Sequence, residues 1–379
     1  MIRNDQGGQG TLVRDQDQLC IMYNSEKSLL YFYSNLPGYM KRRMKLCQKW
    51  NALTLFSQDY EALKSRMSVQ GESGDEQGFI VEKNIQYKLH QSYQKKQTTP
   101  WGISRVQAPR TWQRSRGEGI NVGIIDTGIN ASHPDLQANV KGGVNTIDTS
   151  SAFVDSNGHG THVAGTVAAV NNQIGVVGVS PKARLYSLKA FDSEGTASLS
   201  DIAQAIDWAI DNKIRILNMS FGSRESSQIL HRAIKTALAH GIIMIASAGN
   251  ANESLDYPGK HPEVLTVGAT NQQNRVPSFS NFGSSLNYVQ PGVDILSTWP
   301  EAPYYKTLSG TSMATPHLTG ICALLLAQAP QLTPRQVKQL LDQSAQRLPN
   351  TPQRRQGRGF VTANRALNLL SRRLKNRGR

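Results

Sequence analysis

Three short stretches concentrate residue types that can do chemistry: IIDTGI around Asp126, DSNGHGTHVAGT with His159 and His162, and SGTSMATPH, which packs the hydroxyls of Ser309, Thr311, Ser312 and Thr315 beside His317. A hydroxyl is a weak nucleophile at neutral pH. It needs an adjacent base, and the base needs a third group that fixes its tautomer and stabilises its cation. Asp, His and Ser supply those parts, although each alone has a plainer reading: an Asp ending a strand is often a cap, a Gly-flanked His a turn residue, a Ser among small residues a packing site. The chain order Asp126, His159, Ser312 excludes the α/β-hydrolase arrangement, in which the serine of a GxSxG turn precedes its acid and histidine; here the serine comes last and lies in GTSMA.

The elements that would position these residues follow from hydrophobic patterning. From Gln97 onward, strand-like segments alternate with helix-like ones: NVGIID (121–126), RLYSLKAF (184–191), RILNMS (215–220), IIMIASAGN (242–250), VLTVGAT (264–270) and DILSTW (294–299), separated by THVAGTVAAV, SDIAQAIDWAIDNK and QILHRAIKTALAHG. This is the signature of an α/β domain with a mainly parallel central sheet and helices on both faces. Ile202, Ala205, Ile206, Ala209 and Ile210 fall on one helix face, Ser200 is a candidate N-cap, and Gly241 a candidate C-terminal stop. In such sheets ligands bind beyond the carboxyl ends of the strands. Asp126, Ser220 and Asn250 all end strands, each with glycine close by in the sequence or threonine and glycine following, which favours a site over three unrelated turn residues.

The rest of the chain bounds the function. A hydrophobic content of 38% with 18% charged residues allows a substantial core, and the longest apolar runs fall well short of the roughly 20 residues of a membrane span. The N-terminal stretch lacks the apolar region of a secretory signal, so a cytoplasmic location is the default expectation and secretion the alternative. Cys20, Cys47 and Cys322 have neither zinc-site nor disulfide-framework spacing. The net charge of +15 is uneven: residues 331–379 hold 12 Lys and Arg and 1 acid, residues 1–96 hold 14 and 10, and residues 97–330 hold 16 and 16. A basic end could touch nucleic acid or another anionic surface, but a solvated tail is the simpler reading. Before the alternating region, LLYFYS and NALTLFS read as strands, DYEALKSRM as a helix and GFIVEKNIQYKL as a further strand. The expected organisation is a polar tail over 1–28, a small α+β unit over 29–95, a catalytic domain over 96–350 and a basic extension over 351–379.

DTGIN, SHPDL, HGTHVAGTVAA, NMSFG, AGN, YPGKHPEVLTVGA and GTSMATPH together resemble the sequence blocks of subtilisin-like serine proteases, the S8 peptidase family, in order and in spacing. The resemblance runs from about Gln97 to the late 340s. It implies a serine endopeptidase acting on polypeptides through an acyl-enzyme, with Ser312 as nucleophile, His159 as general base and acid, Asp126 as its orienting carboxylate and Asn250 as an oxyanion donor. It implies that His162, His317 and the hydroxyls of Ser309, Thr311 and Thr315 are structural. Ser220, Phe221 and Gly222 match the edge that pairs with substrate and Gly249 a wall of the first specificity pocket. Asp256 falls where the family has a small residue at that pocket's base, which suggests a preference for Lys or Arg. Gln97, Asp135, Val170, Asn172, Ile174 and Val176 match a calcium loop, against the plainer reading of a polar loop without metal. Residues 29–95 resemble the family's inhibitory propeptide, the inhibitor I9 type, making the chain its own partner as a self-processing precursor with Lys95 and Lys96 near the cut. The competing expectation is an idle member of the fold that serves as a binding or scaffolding protein.

Overall fold

The structure is a computed structural model that describes residues 18–23, 26–42, 44–47, 52–56, 59–61, 63, 79–83 and 97–377. The chain divides into two compact units, Met1–Gln91 and Ser92–Arg379.

In the first unit, β1 (Gln18–Tyr23), β2 (Leu46–Cys47), β3 (Ala52–Phe56) and β4 (Phe79–Lys83) form an antiparallel sheet in the order β2-β3-β1-β4. A helix, Glu26–Ser34, follows β1, and helical residues at 59–61 and 63 follow β3, giving the alternation of a split β-α-β unit. Two expectations are corrected. LLYFYS is helical rather than a strand: Leu29 and Phe32, one turn apart in the helix Glu26–Ser34, are buried with Ile21, Leu53 and Leu63, and Leu36 and Met40 beyond the helix join the same cluster. The stretch expected as a polar tail contains β1, whose Ile21 is fully buried between two neighbouring strands. The readings of NIQYKLHQ and of the Lys95–Lys96 linker fall outside the described residues.

The second unit is built on seven parallel strands in the order β11-β10-β9-β8-β5-β7-β6: β5 (Asn121–Asp126), β6 (Val140–Asn145), β7 (Arg184–Lys189), β8 (Ile216–Met219), β9 (Ile243–Ser247), β10 (Leu265–Thr270) and β11 (Tyr288–Pro291). Alternate side chains face opposite layers. Val122 and Ile124 of β5 join one core with the helices His159–Ala168 and Thr311–Gln328, while Ile125 joins another with Leu199–Asp211 and Gln228–Ala239. The chain builds outward from β5 through β6 and β7 on one side and from β8 through β11 on the other. The crevice where that direction reverses lies between β5 and β8, where Asp126 and Ser220 emerge.

Differences from the sequence reading are local. DILSTW is not part of the central sheet; β12 (Ile295–Thr298) forms an antiparallel hairpin with β13 (Tyr305–Leu308). The unanticipated β6 and β11 are the two edges of the sheet, where glycine and proline in a strand are tolerated. Ser198, not Ser200, caps the helix Leu199–Asp211, accepting from the Asp201 amide. Gly241 does follow the helix Gln228–Ala239 with φ of 81°, donating to the Leu238 carbonyl.

The segment 351–379 is not an appended tail. Phe360 pairs with Gln346 and Val289, and Phe360, Val361, Ala363, Ala366, Leu367 and Leu370 are all buried in the main core. The pattern Ala363, Ala366, Leu367, Leu370 is one helical stripe, and the basic residues occupy the rest of the helix Ala363–Arg377. Leu367→Ala and Phe360→Ala are each expected to lower the unfolding free energy by about 2–5 kcal/mol, as for other large-to-small core substitutions. Denaturant titration reads this directly, and near-zero changes would mark the segment as dispensable.

Candidate active site

Asp126 is the last residue of β5 and is 4% exposed. Its main-chain carbonyl accepts from the amides of Ala190 and Phe191 beyond β7, and its Oδ1 accepts from the Thr127 amide at 2.8 Å, so backbone and carboxylate are both fixed. His159 opens the helix His159–Ala168. Two glycines let that helix approach: Gly158 has φ of 107° with a Trp299 ring atom 2.3 Å from where a Cβ would stand, and a Cβ at Gly160 would meet the Gly128 carbonyl at 2.1 Å and Asp126 at 3.1 Å. His159 Nδ1 lies 2.7 Å from Asp126 Oδ1 and 3.0 Å from Oδ2. The carboxylate makes Nδ1 the protonated nitrogen and leaves Nε2 free to accept. Burial pulls the imidazole pKa down, but the charge and hydrogen bond of Asp126, with the charge of Asp155, outweigh it and hold the pKa above the ordinary histidine value.

Asp155, in the same DSNGHGTH stretch, carries a structural burden that reading for nucleophiles passes over. Its Oδ1 accepts from Thr127 Oγ1 and the amides of Asn157 and Gly158, and its Oδ2 from the amide and hydroxyl of Thr161. One buried carboxylate thus ties the end of β5 to the loop and first turn that carry His159.

Ser312 is the second residue of the helix Thr311–Gln328, which packs against the His159 helix. Proline at 316 has no N–H, so the carbonyl of Ser312, four residues earlier, has no helical partner. Ser220 Oγ donates to that carbonyl at 3.0 Å, and Ser312 Oγ donates at 2.9 Å to the Ser220 carbonyl. Ser220 Oγ accepts from Asn218 Nδ2, and Asn218 Oδ1 accepts from Thr319 Oγ1 two turns along the same helix. Thr311 does more than pack: its amide and hydroxyl both donate to Asn250 Oδ1, at 2.8 and 2.9 Å, and its hydroxyl accepts from the Gly249 amide. With the oxygen so held, the Asn250 amide nitrogen turns to the Gly310 side, 3.4 Å from where a Gly310 Cβ would be.

His162 and His317 are fully buried and face carbonyls. His162 Nε2 reaches the carbonyls of Ile295 and Lys306, both at 3.0 Å, and His317 Nδ1 the Met313 carbonyl at 2.9 Å. Burial, aided for His162 by the charge of His159, depresses each to about 4.

Among the residues expected at the substrate edge, the Phe221 ring is tilted against that of Phe191 with centroids 4.9 Å apart, and Gly222 is exposed. Asp256 packs against Gly222 and Gly249. At the expected cation loop, Gln97 Nε2 donates to the carbonyls of Val170 (2.7 Å) and Val176 (3.0 Å) and to Asn172 Oδ1 (3.2 Å). Asp135, fully buried, accepts from Val176 N, Asn172 Nδ2 and Tyr305 OH, and the Ile174 amide donates to Asn172 Oδ1. Among the described residues no group of three or more His, Cys, Asp or Glu is arranged to hold a metal, so a cation here would rest on carbonyl and amide oxygens with one carboxylate. No described helix is long and apolar enough to cross a membrane.

The parallel sheet thus carries an Asp–His pair at the end of β5 and, beyond the neighbouring β8, a helix-borne serine held by Ser220. Residues 117–359 match the Peptidase S8 model, described as the subtilase family, and the chain belongs to that family. It is 43% identical over 272 residues to Subtilisin Savinase of Lederbergia lenta, covering 71% of this chain and 99% of that relative. It is equally similar to the M-protease of Shouchella clausii (71% and 70% covered), and 42% identical over 288 residues to the Thermostable alkaline protease of Halalkalibacterium halodurans (76% of each). The protein is a serine endopeptidase, and its substrates are polypeptides.

His162 and His317 set an acid limit on the fold. Unfolded, each binds a proton near pH 6.5; folded, only near 4. Between those values the unfolded state holds more protons, so stability rises with pH through this window and is lost as pH falls through it. Unfolding free energy measured at pH 7 and pH 5 should drop at the lower pH, and His317→Gln should flatten the slope. An unchanged slope would refute the assignment.

Proposed function

We propose that this protease cleaves peptide bonds through an acyl-enzyme on Ser312, with His159 as general base and acid and Asp126 as its orienting partner. The observation that carries this reading is the Asp126 carboxylate on His159 Nδ1, which leaves Nε2 as the proton acceptor. The Ser312 hydroxyl leaves the Ser220 carbonyl by rotation about its side-chain bond, gives its proton to Nε2, and its oxygen attacks the carbonyl carbon. The oxyanion is met by Asn250 Nδ2 and by the amide of Ser312 at the positive end of its helix. His159 then protonates the departing amine, and the same base activates the water that releases the acyl group. Substrate lies extended along Ser220, Phe221 and Gly222 with Gly249 opposite, bound mainly through backbone hydrogen bonds.

The chain is read as a precursor whose N-terminal unit, including β1 from Gln18 and running up to residue 95, acts as an inhibitory propeptide followed by the catalytic domain from residue 96. The four-stranded antiparallel sheet of the N-terminal unit, with the helix Glu26–Ser34 packed on it, supports a folded partner rather than a loose leader. The cation loop fits calcium: three oxygens converge on one Gln97 amide, and turning that amide over adds a fourth. Gln97, Asp135, Asn172 and the carbonyls of Val170, Ile174 and Val176 would hold the ion, which would supply only stability, tying residue 97 to the 170–176 loop.

Three measurements test this. Intact mass of the purified full chain should show loss of about 95 N-terminal residues in the wild type but not in Ser312→Ala, and Asn250→Ala should lower kcat by about 10²- to 10³-fold, the loss found for the equivalent donor in the subtilisin family itself, with little change in KM. Processing of the Ser312→Ala protein by itself would assign the nucleophile elsewhere. Chelation should lower the Tm of the wild type, with about 2.7 kcal/mol of stabilisation regained at a hundredfold excess of calcium over its Kd, and Asp135→Asn should abolish that calcium response.

A further inference from the structure

Asp256 is held by backbone on two sides. Its amide donates to the Ala248 carbonyl at 3.0 Å, and Tyr257 exchanges two 2.8 Å hydrogen bonds with Ser223. These bonds stitch the 256–257 segment between the residues that follow β9, which lead to Gly249 and Asn250, and those that follow β8, Ser220 to Gly222. A Cβ at Gly249 would stand 2.3 Å from Asp256 Oδ2, and one at Gly222 would stand 2.6 Å from Asp256 Cβ and 3.2 Å from Oδ2. The carboxylate therefore lies against two glycines, each of which adds no side chain to fill the space beside it, and Gly249 is adjacent in sequence to the candidate oxyanion donor.

That carboxylate has no hydrogen-bond donor or ion-pair partner among the described residues. Two charged neighbours act on it: Arg224, whose guanidinium is taken at 2.8 Å by Glu253, and Glu253 itself. Burial raises its pKa, opposed by Arg224 and reinforced by Glu253. A partly desolvated carboxylate without a donor is an incomplete interaction, and a cation entering from the substrate would complete it.

We infer that Asp256 makes the slot between Gly222 and Gly249 a receiver for Lys or Arg, so that this protease cleaves after basic residues. The inference rests on the assignment of Ser312 and of the Ser220–Gly222 edge above, and it names the substrate class of that site. The aliphatic stem of Lys or Arg runs along the two glycine walls and its head meets the carboxylate, whereas an acidic side chain is repelled and a leucine leaves the charge unpaired. The chain carries a substrate of this class itself, Lys95 and Lys96 directly before Gln97.

The test is kcat/KM of processed, calcium-loaded enzyme on peptides identical except for Lys, Arg, Leu or Glu before the scissile bond, with Asp256→Ser and Asp256→Lys in parallel. Lys and Arg should exceed Leu by at least about tenfold, with Glu poorest. Asp256→Ser should lower the Lys-to-Leu ratio by about 10- to 100-fold, the worth of a charge-assisted hydrogen bond, and Asp256→Lys should raise Glu relative to Lys. Equal cleavage of Lys and Leu peptides by the wild type, or an unchanged ratio in Asp256→Ser, overturns the inference. Phosphonates bearing a lysine-like or leucine-like side chain give a second reading through their labelling rates, which need no turnover. If both label at equal rates the pocket assignment fails alone; if neither labels Ser312, the reading of the site fails and the inference falls with it.

Discussion

The site depends on how one helix N-terminus is docked onto two strand ends. Pro316 removes the amide that would have bonded the Ser312 carbonyl, and the vacant acceptor is filled from outside the helix by Ser220 Oγ. Ser220 in return accepts the Ser312 hydroxyl, so main chain and side chain of the candidate nucleophile are both referred to a single residue beyond β8. One residue earlier, Thr311 makes the equivalent attachment to Asn250 beyond β9. Because β8 and β9 are hydrogen-bonded neighbours, Ser312 and Asn250 are both referred to adjacent strands of one sheet. Asn218 and Thr319, both fully buried, close the network from below, and such a network stabilises only while every member is satisfied.

Similar residue types do different work here because their surroundings differ. Asp126 and Asp155 are both buried beside the end of β5. Asp155 accepts from five donors, all of them backbone amides or hydroxyls, and so serves as a fixed brace. Asp126 keeps its carboxylate for His159, with one backbone amide to orient it. Of His159, His162 and His317, the first faces the Asp126 carboxylate and is pushed up in pKa, and the other two face only carbonyls and are pushed down to about 4. A titratable base and two neutral packing groups thus come from one side-chain type. The difference lies in whether the partner is charged.

Much of this was legible in the sequence where pattern and chemistry agree. The parallel strands are buried on both faces and therefore read as continuous apolar runs, and β5 matches its predicted limits because a polar residue stands at each end. Asp126, His159, Ser312 and Asn250 were visible as types at strand and helix boundaries. What was hidden depends on partners distant in sequence. Thr311 looks like any hydroxyl beside a helix start until Asn250, 61 residues away, supplies the acceptor. LLYFYS suits a strand by composition, and only the one-turn spacing of the buried Leu29 and Phe32 fits a helix. Ser198 and Ser200 are equivalent as caps by type, and the turn geometry chooses between them.

The basic C-terminal segment shows how charge can mislead when counted rather than located. Three of its guanidinium groups, those of Arg355, Arg365 and Arg373, are internal donors. Arg365 reaches the Ser344 carbonyl and Arg373 the Gln343 side chain, while Asn364 and Asn368 receive Arg114. Arg355 goes furthest: it donates to Asn252 Oδ1, to the carbonyls of Pro277, Ser278 and Ser280, and lies 5.0 Å from the centre of the Phe282 ring. Asn281, in the same turn, accepts from the amides of Ala251 and Glu253. One face of the Asn250 loop is therefore braced by a residue that composition alone would place in a solvated tail. Arginine suits this task because its planar fork serves several carbonyls at once without needing an acid, so an excess of positive charge at the end of a chain can be part of the support of a site instead of a surface for a polyanion.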